Sequence, residues 1–152
     1  MLRNSDRIVT SAGFPAESPA VAPSLLSITV IATSAQGTLA ALRKAGELAK
    51  GLGSQITLIS AQVVPYALPL SRPAVPLEFQ SMQFRKLAAS CPVDVNVCLI
   101  LCRDEMEMLK RVLMPRSIVV IGGRKGWLPN RAGRLARKLQ NCHEVIFAET
   151  DR

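Results

Sequence analysis

The stretch from Arg116 to Gln140 carries the residue types most able to do chemistry. An apolar run, Ile118-Val119-Val120-Ile121, ends at Gly122-Gly123, and two further glycines follow at Gly126 and Gly133. Glycine lets a backbone approach an anion closely, and a helix N-terminus offers it unpaired N–H groups. Arg124, Lys125, Arg131, Arg134, Arg137 and Lys138 surround these glycines with no acid between them. The pattern admits two readings: a cradle for a phosphate-bearing ligand, or a tight turn beside a solvated basic helix. A short glycine loop after a strand does not separate them.

Catalytic and metal chemistry find no comparable set. His143 is the only histidine, and no nucleophile and orienting acid can be assigned beside it. Asp104, Glu105 and Glu107 read as the acids that favour the first turn of a helix, not as metal ligands. Neither a Walker loop nor a G-x-G-x-x-G fingerprint occurs. Cys91, Cys98, Cys102 and Cys142 match no zinc or C-x-x-C spacing. They read as reduced, buried small side chains, with Cys98 and Cys102 on one face of a strand, and they suit a cytoplasmic setting. Trp127 could stack on a base or pack on the domain's own helix, and the area an indole buries favours packing; Met106, Met108 and Met114 read as core filling.

The elements that position the basic loop follow from apolar period. Leu25–Thr33 is a strand, Ser34–Gly37 a turn, and Leu39–Leu52 a helix capped by Thr38, with Leu42, Ala45, Ala49 and Leu52 on one face. Thr33 and Ser34 therefore close the first strand. Gln55–Val64 is the second strand, Leu77–Ser90 the second helix and Val93–Cys102 the third strand. That third strand opens with alternation, which predicts a wetter face and a place at the sheet edge. Arg103–Met114 is a helix capped by Asp104, with Met106, Leu109 and Leu113 towards the sheet. Ser117–Ile121 is the fourth strand, the segment from Gly133 to Leu139 a helix, and His143–Glu149 the last strand. Strands alternating with helices predict an α/β fold, a parallel sheet with right-handed crossovers and helices on both faces. In such sheets ligands bind where strands end and helices begin.

Totals agree. The chain has 152 residues, 49% hydrophobic and 4% aromatic, with formal net charge +8. That is one domain with an aliphatic core, here 25–150. Residues 1–24, with Pro15, Pro19 and Pro23 among Ser and Ala, read as a flexible leader. Its charged part is too long to open a secretory signal, and no apolar run nears the length of a membrane span. Pro65–Pro76 holds prolines at 65, 69, 73 and 76, which exclude helix and central strand. The positive charge permits acidic protein partners or nucleic acid. Apart from Trp127, the basic residues are not interleaved with aromatics, which weakens a single-strand stacking platform.

Three stretches resemble the universal stress protein family over about Leu25 to Glu149. I-T-V-I-A-T-S with T-L-A-A-L-R-K-A-G-E-L-A-K-G-L-G-S-Q-I-T-L-I-S is similar to its first strand, Ala-rich helix and second strand. R-S-I-V-V-I-G-G-R-K-G resembles its fourth strand and glycine loop, and G-R-L-A-R-K-L-Q-N-C-H-E-V-I-F-A its closing helix and strand. The resemblance implies a Rossmann-like, adenine-nucleotide α-hydrolase-like fold: a three-layer, five-stranded open sheet of order 3-2-1-4-5. It implies a non-enzymatic stress-response module and a homodimer through the last strand. It also implies a choice between branches, one of which binds ATP with Mg. The binders carry G-x-x-G-x9-G-[ST] after the fourth strand and an Asp closing the first. Here Gly123 and Gly126 match the first pair, Gly133 comes six residues beyond Gly126, Arg134 replaces Ser or Thr, and Ser34 replaces the Asp. The candidate nucleotide or phosphate residues are thus Thr33, Ser34, Gly122, Gly123, Arg124, Gly126, Gly133 and Arg134. Three functions follow: a regulatory module without tight ATP binding, an adenine-nucleotide switch using Gly122–Arg134, or an adaptor for an acidic partner or nucleic acid through 124–138.

Overall fold

The computed structural model describes residues 6–10, 27–64, 66, 77–113, 117–124 and 130–150, with the backbone alone for 6–10 and 77. Six strands run parallel in one sheet: β1 (Asp6–Thr10), β2 (Ile28–Ile31), β3 (Ile56–Val63), β4 (Val95–Cys102), β5 (Ile118–Gly123) and β6 (Glu144–Glu149). Their spatial order is β1-β4-β3-β2-β5-β6. Without β1 this is the expected order 3-2-1-4-5. Four helices connect them: α1 (Ala35–Leu52), α2 (Leu77–Ala89), α3 (Glu105–Val112) and α4 (Arg131–Leu139).

The two faces of the sheet divide the core. α1 and α2 cover one, with Leu42, Ala45, Ala49 and Ala88 against Ile28, Val30, Ile56, Leu58, Val97 and Val120. α3 and α4 cover the other, with Leu109, Leu113, Leu135 and Leu139 against Ile31, Ile59, Ile100, Val119 and Ile121. β2 is buried at all its positions, as a central strand with helices on both sides must be. The inward side of α1 is made largely of small residues, Gly37, Ala41, Ala45, Gly46 and Ala49, so its axis lies close to the sheet.

Several expectations are corrected. Asp6–Thr10, placed in a flexible leader, is a strand, and its residues register with Val97–Leu101. The nearest proline is five residues past its end, and Ile8-Val9-Thr10 is a β-branched run. Composition averaged over the first 24 residues hides it. β4 is consequently not the edge: it pairs with β1 and β3, and its alternation gives way to a fully buried second half.

α1 starts at Ala35, not Leu39, and Ser34, not Thr38, is its cap, accepting from the Gly37 amide at 3.0 Å. Thr38 is buried, and its hydroxyl oxygen accepts from the Thr33 amide at 3.0 Å. α4 starts at Arg131, ahead of Gly133, because Asn130 caps it. Met108 is fully in the core while Met106 is half-buried, and Met114, Trp127 and nearly all of the proline-rich segment lie outside the described residues.

None of the four cysteines is in a disulfide, and only Cys91 and Cys102 are buried; Cys98 is intermediate and Cys142 exposed. Burial pushes the Cys102 thiol up to about 11 from 9.0, with the nearby Glu105 and Asp104 carboxylates adding to the effect. Two outcomes follow. In the native protein an aromatic disulfide reagent at neutral pH labels Cys142 rapidly and leaves Cys91 and Cys102 unreacted. Because folding favours the neutral Cys102 thiol, its contribution to stability is complete below pH 9 and is lost as pH rises towards 11. Denaturation midpoints measured across that window should fall, and the fall should lessen in Cys102→Ala.

Candidate functional site

All the strands are parallel, so their C-terminal ends share one rim. The β2 end and the β5 end meet there. The Thr33 hydroxyl donates to the Gly122 carbonyl at 2.6 Å. A Cβ at Gly122 would overlap the Gly37 carbonyl oxygen, and a Cβ at Gly37 would overlap the Gly122 carbonyl. The first turn of α1 therefore lies backbone-to-backbone on the end of β5. On the opposite face, a Cβ at Gly123 would stand 2.7 Å from the Ala132 Cβ and 3.4 Å from the Phe147 ring. Each glycine is where a helix on its own side of the sheet comes closest, which accounts for the pair through packing.

The polar groups of the rim are bonded to one another. Ser34 is exposed, and its oxygen takes the Gly37 amide. The carboxamide of Asn130 acts at both ends of the basic loop. Its Oδ1 accepts from the Gly133 amide at 2.8 Å, and its Nδ2 donates to the Arg124 carbonyl at 2.7 Å. The Gly123 carbonyl accepts from the Thr150 amide at 3.0 Å. Arg131 forms an ion pair with Glu105 at 2.7 Å, joining the starts of α3 and α4.

The structure thus brings together Thr33, Ser34, Gly122 and Gly123, with Arg124, Gly133 and Arg134 on the adjoining loop and helix. Gly126 lies outside the described residues. Arg124 and Arg134 are exposed, so their guanidinium groups remain available to an anion. Asn130 was missed by sequence reasoning. Its signal was present: Asn three residues before Gly133, at the head of a helical period, is an N-cap pattern. His143 precedes β6 and so lies at the opposite end of the sheet from the rim. Its amide donates to the Leu139 carbonyl at 2.9 Å. Among the described residues, no group of three His, Cys, Asp or Glu side chains is placed to hold a metal ion. No described helix is long and apolar enough to cross a membrane.

No protein-family model matches the chain, and no curated protein matches it in sequence. Solved structures do match. A universal stress protein in complex with cAMP superposes with a TM-score of 0.52 at 14% identity, over 84% of this chain and 98% of that one. A universal stress protein from Archaeoglobus fulgidus gives 0.51 at 15% identity, over 81% and 93%. The fold is that of the universal stress proteins. This chain carries residues beyond that fold.

The packing role of the paired glycines makes a sharp expectation. Gly122→Ala should cost at least about 3 kcal/mol, the upper range of overpacking, because the obstacle is backbone on a buried helix turn. Gly51→Ala, with open space around it, should stabilise by about 0.5–1 kcal/mol through helix propensity. Urea unfolding of both variants checks the pair. Asn130→Ala should cost about 1–2 kcal/mol by loss of the cap. Asn130→Asp, which retains an acceptor for Gly133 but no donor for Arg124, should fall between Asn130→Ala and the parent in the same measurement.

Proposed function

We propose that the chain is a non-enzymatic regulatory module of the universal-stress type that does not hold ATP tightly. The observation that carries this reading is how the rim meets its own hydrogen-bonding needs. Ser34 stands where the ATP-binding pattern has a carboxylate, and its one oxygen is engaged by its own helix. The Gly133 amide, which a phosphate would use, already has the Asn130 carboxamide. A nucleotide would have to displace these bonds, and exchanging one hydrogen bond for another yields little net free energy. What the described part of the rim retains is charge: Arg124 and Arg134, both exposed, attract an anion.

The same reading makes the protein a cytoplasmic homodimer through β6. Among the described residues that strand has no neighbour on its outer side, and Val145, Ile146 and Phe147 are partly exposed along it. An open edge with apolar side chains is a template for pairing with a second copy.

Titration calorimetry with ATP and Mg, and separately with cAMP, tests the reading. Binding weaker than about 0.1 mM, or about 5.5 kcal/mol, is expected for both. A micromolar signal that disappears in Arg134→Glu would establish the nucleotide switch instead.

A further inference from the structure

We propose that the outward face of α4 docks the phosphate backbone of duplex nucleic acid, without regard to base sequence. The inference goes beyond the regulatory reading and does not depend on whether the rim binds ATP.

The inward side of α4 is fully used by Ala132, Leu135, Ala136 and Leu139, all buried. Every charged residue on the remaining surface of the helix is a cation: Arg131, Arg134, Arg137 and Lys138, all exposed. The other described helices mix signs. α1 has Glu47 among its basic residues, α2 has Glu78, and α3 has Glu105 and Glu107 beside Lys110 and Arg111. On α3 the mixture is neutralised within the helix, Arg111 to Glu107 at 2.9 Å. On α4, Arg131 is neutralised from outside by Glu105, while Arg134, Arg137 and Lys138 have no ion-pair partner among the described residues. Like charges so placed destabilise an isolated helix by a few tenths of a kcal/mol per pair. A single-sign face of this kind concentrates oppositely charged partners.

The chemistry of the face selects among anionic partners. A protein interface needs a desolvated apolar or aromatic anchor at its centre, and the outward positions of α4 and the turn after it offer Arg, Lys, Gln140, Asn141 and the small side chain of Cys142, none of them a large apolar or aromatic anchor. A single-stranded nucleic acid needs stacking surfaces, and among the described residues this face has none. A duplex backbone asks only for cations. It presents one charge per about 1.7 Å of axis, so side chains one helical turn apart find phosphates in any register. Two of the three unpaired cations are guanidinium groups, which bind phosphate bidentately. Arg124, exposed at the start of the loop that Asn130 ties to this helix, adds a fourth contact.

Fluorescence anisotropy with a labelled, random-sequence DNA duplex tests the proposal. With three to four phosphates neutralised, log K against log salt should have a slope of about −3, so affinity falls about 50-fold between 50 and 200 mM salt. Arg134→Glu/Arg137→Glu should weaken binding at least about tenfold at low salt, whereas Lys44→Glu/Lys50→Glu on α1, with the same net charge change, should weaken it far less. Circular dichroism melts of both variants establish that each is folded. Equal losses in the two variants, a slope near zero, or no binding to the duplex at low salt would overturn the proposal. So would a polyglutamate competitor that binds more tightly than the duplex, since that would assign the face to an acidic protein.

Discussion

The structure depends on a contact between two stretches of bare backbone. The first turn of α1 at Gly37 lies against the end of β5 at Gly122, with no room for a side-chain carbon on either. The Thr33 hydroxyl reaches across to the Gly122 carbonyl and fixes the approach. This contact sits beside the topological switch point, where the connection leaving β2 runs to one side and the one leaving β5 to the other, and where open α/β sheets place their ligands. The small residues along α1 extend the same close approach down its length. The contact thereby fixes how near the end of β2 and the end of β5 come to each other.

From that closeness follows the chemistry of the rim. A helix start and a glycine turn bind anions when their N–H groups have no partner. Here a side chain from the protein takes that role at three of the four described helices: Ser34 at α1, Asp104 at α3 and Asn130 at α4. Each cap contributes about 1 kcal/mol to its helix. The charge of the region is left on long, exposed arginine side chains, outside the crevice. Among the described residues the result is a cation-bearing surface beside helix-start amides that already have partners.

Much of this architecture was legible in the sequence. The uninterrupted run at Ile118–Ile121 and the alternation of strands and helices gave the parallel sheet, and the resemblance supplied the strand order. Where the sequence misled, competing local signals were responsible. Ser34 and Thr38 are both good caps, and only burial of Thr38 against the strand end decides between them. β1 was obscured because prolines further along dominated the composition of its segment. Gly122 and Gly123 posed the deepest ambiguity. A glycine that admits a phosphate and a glycine that admits a helix look the same in one dimension, and only the positions of Gly37 and Ala132 distinguish them.

The central claim is that the rim is closed on itself and is not held open for a ligand. Amide hydrogen exchange at Gly37 and Gly133, followed by NMR with and without millimolar ATP and Mg, addresses it most directly. The account predicts slow exchange at both amides in the free protein and no change when the nucleotide is added. Rapid exchange in the free protein that becomes slow on adding ATP would contradict it.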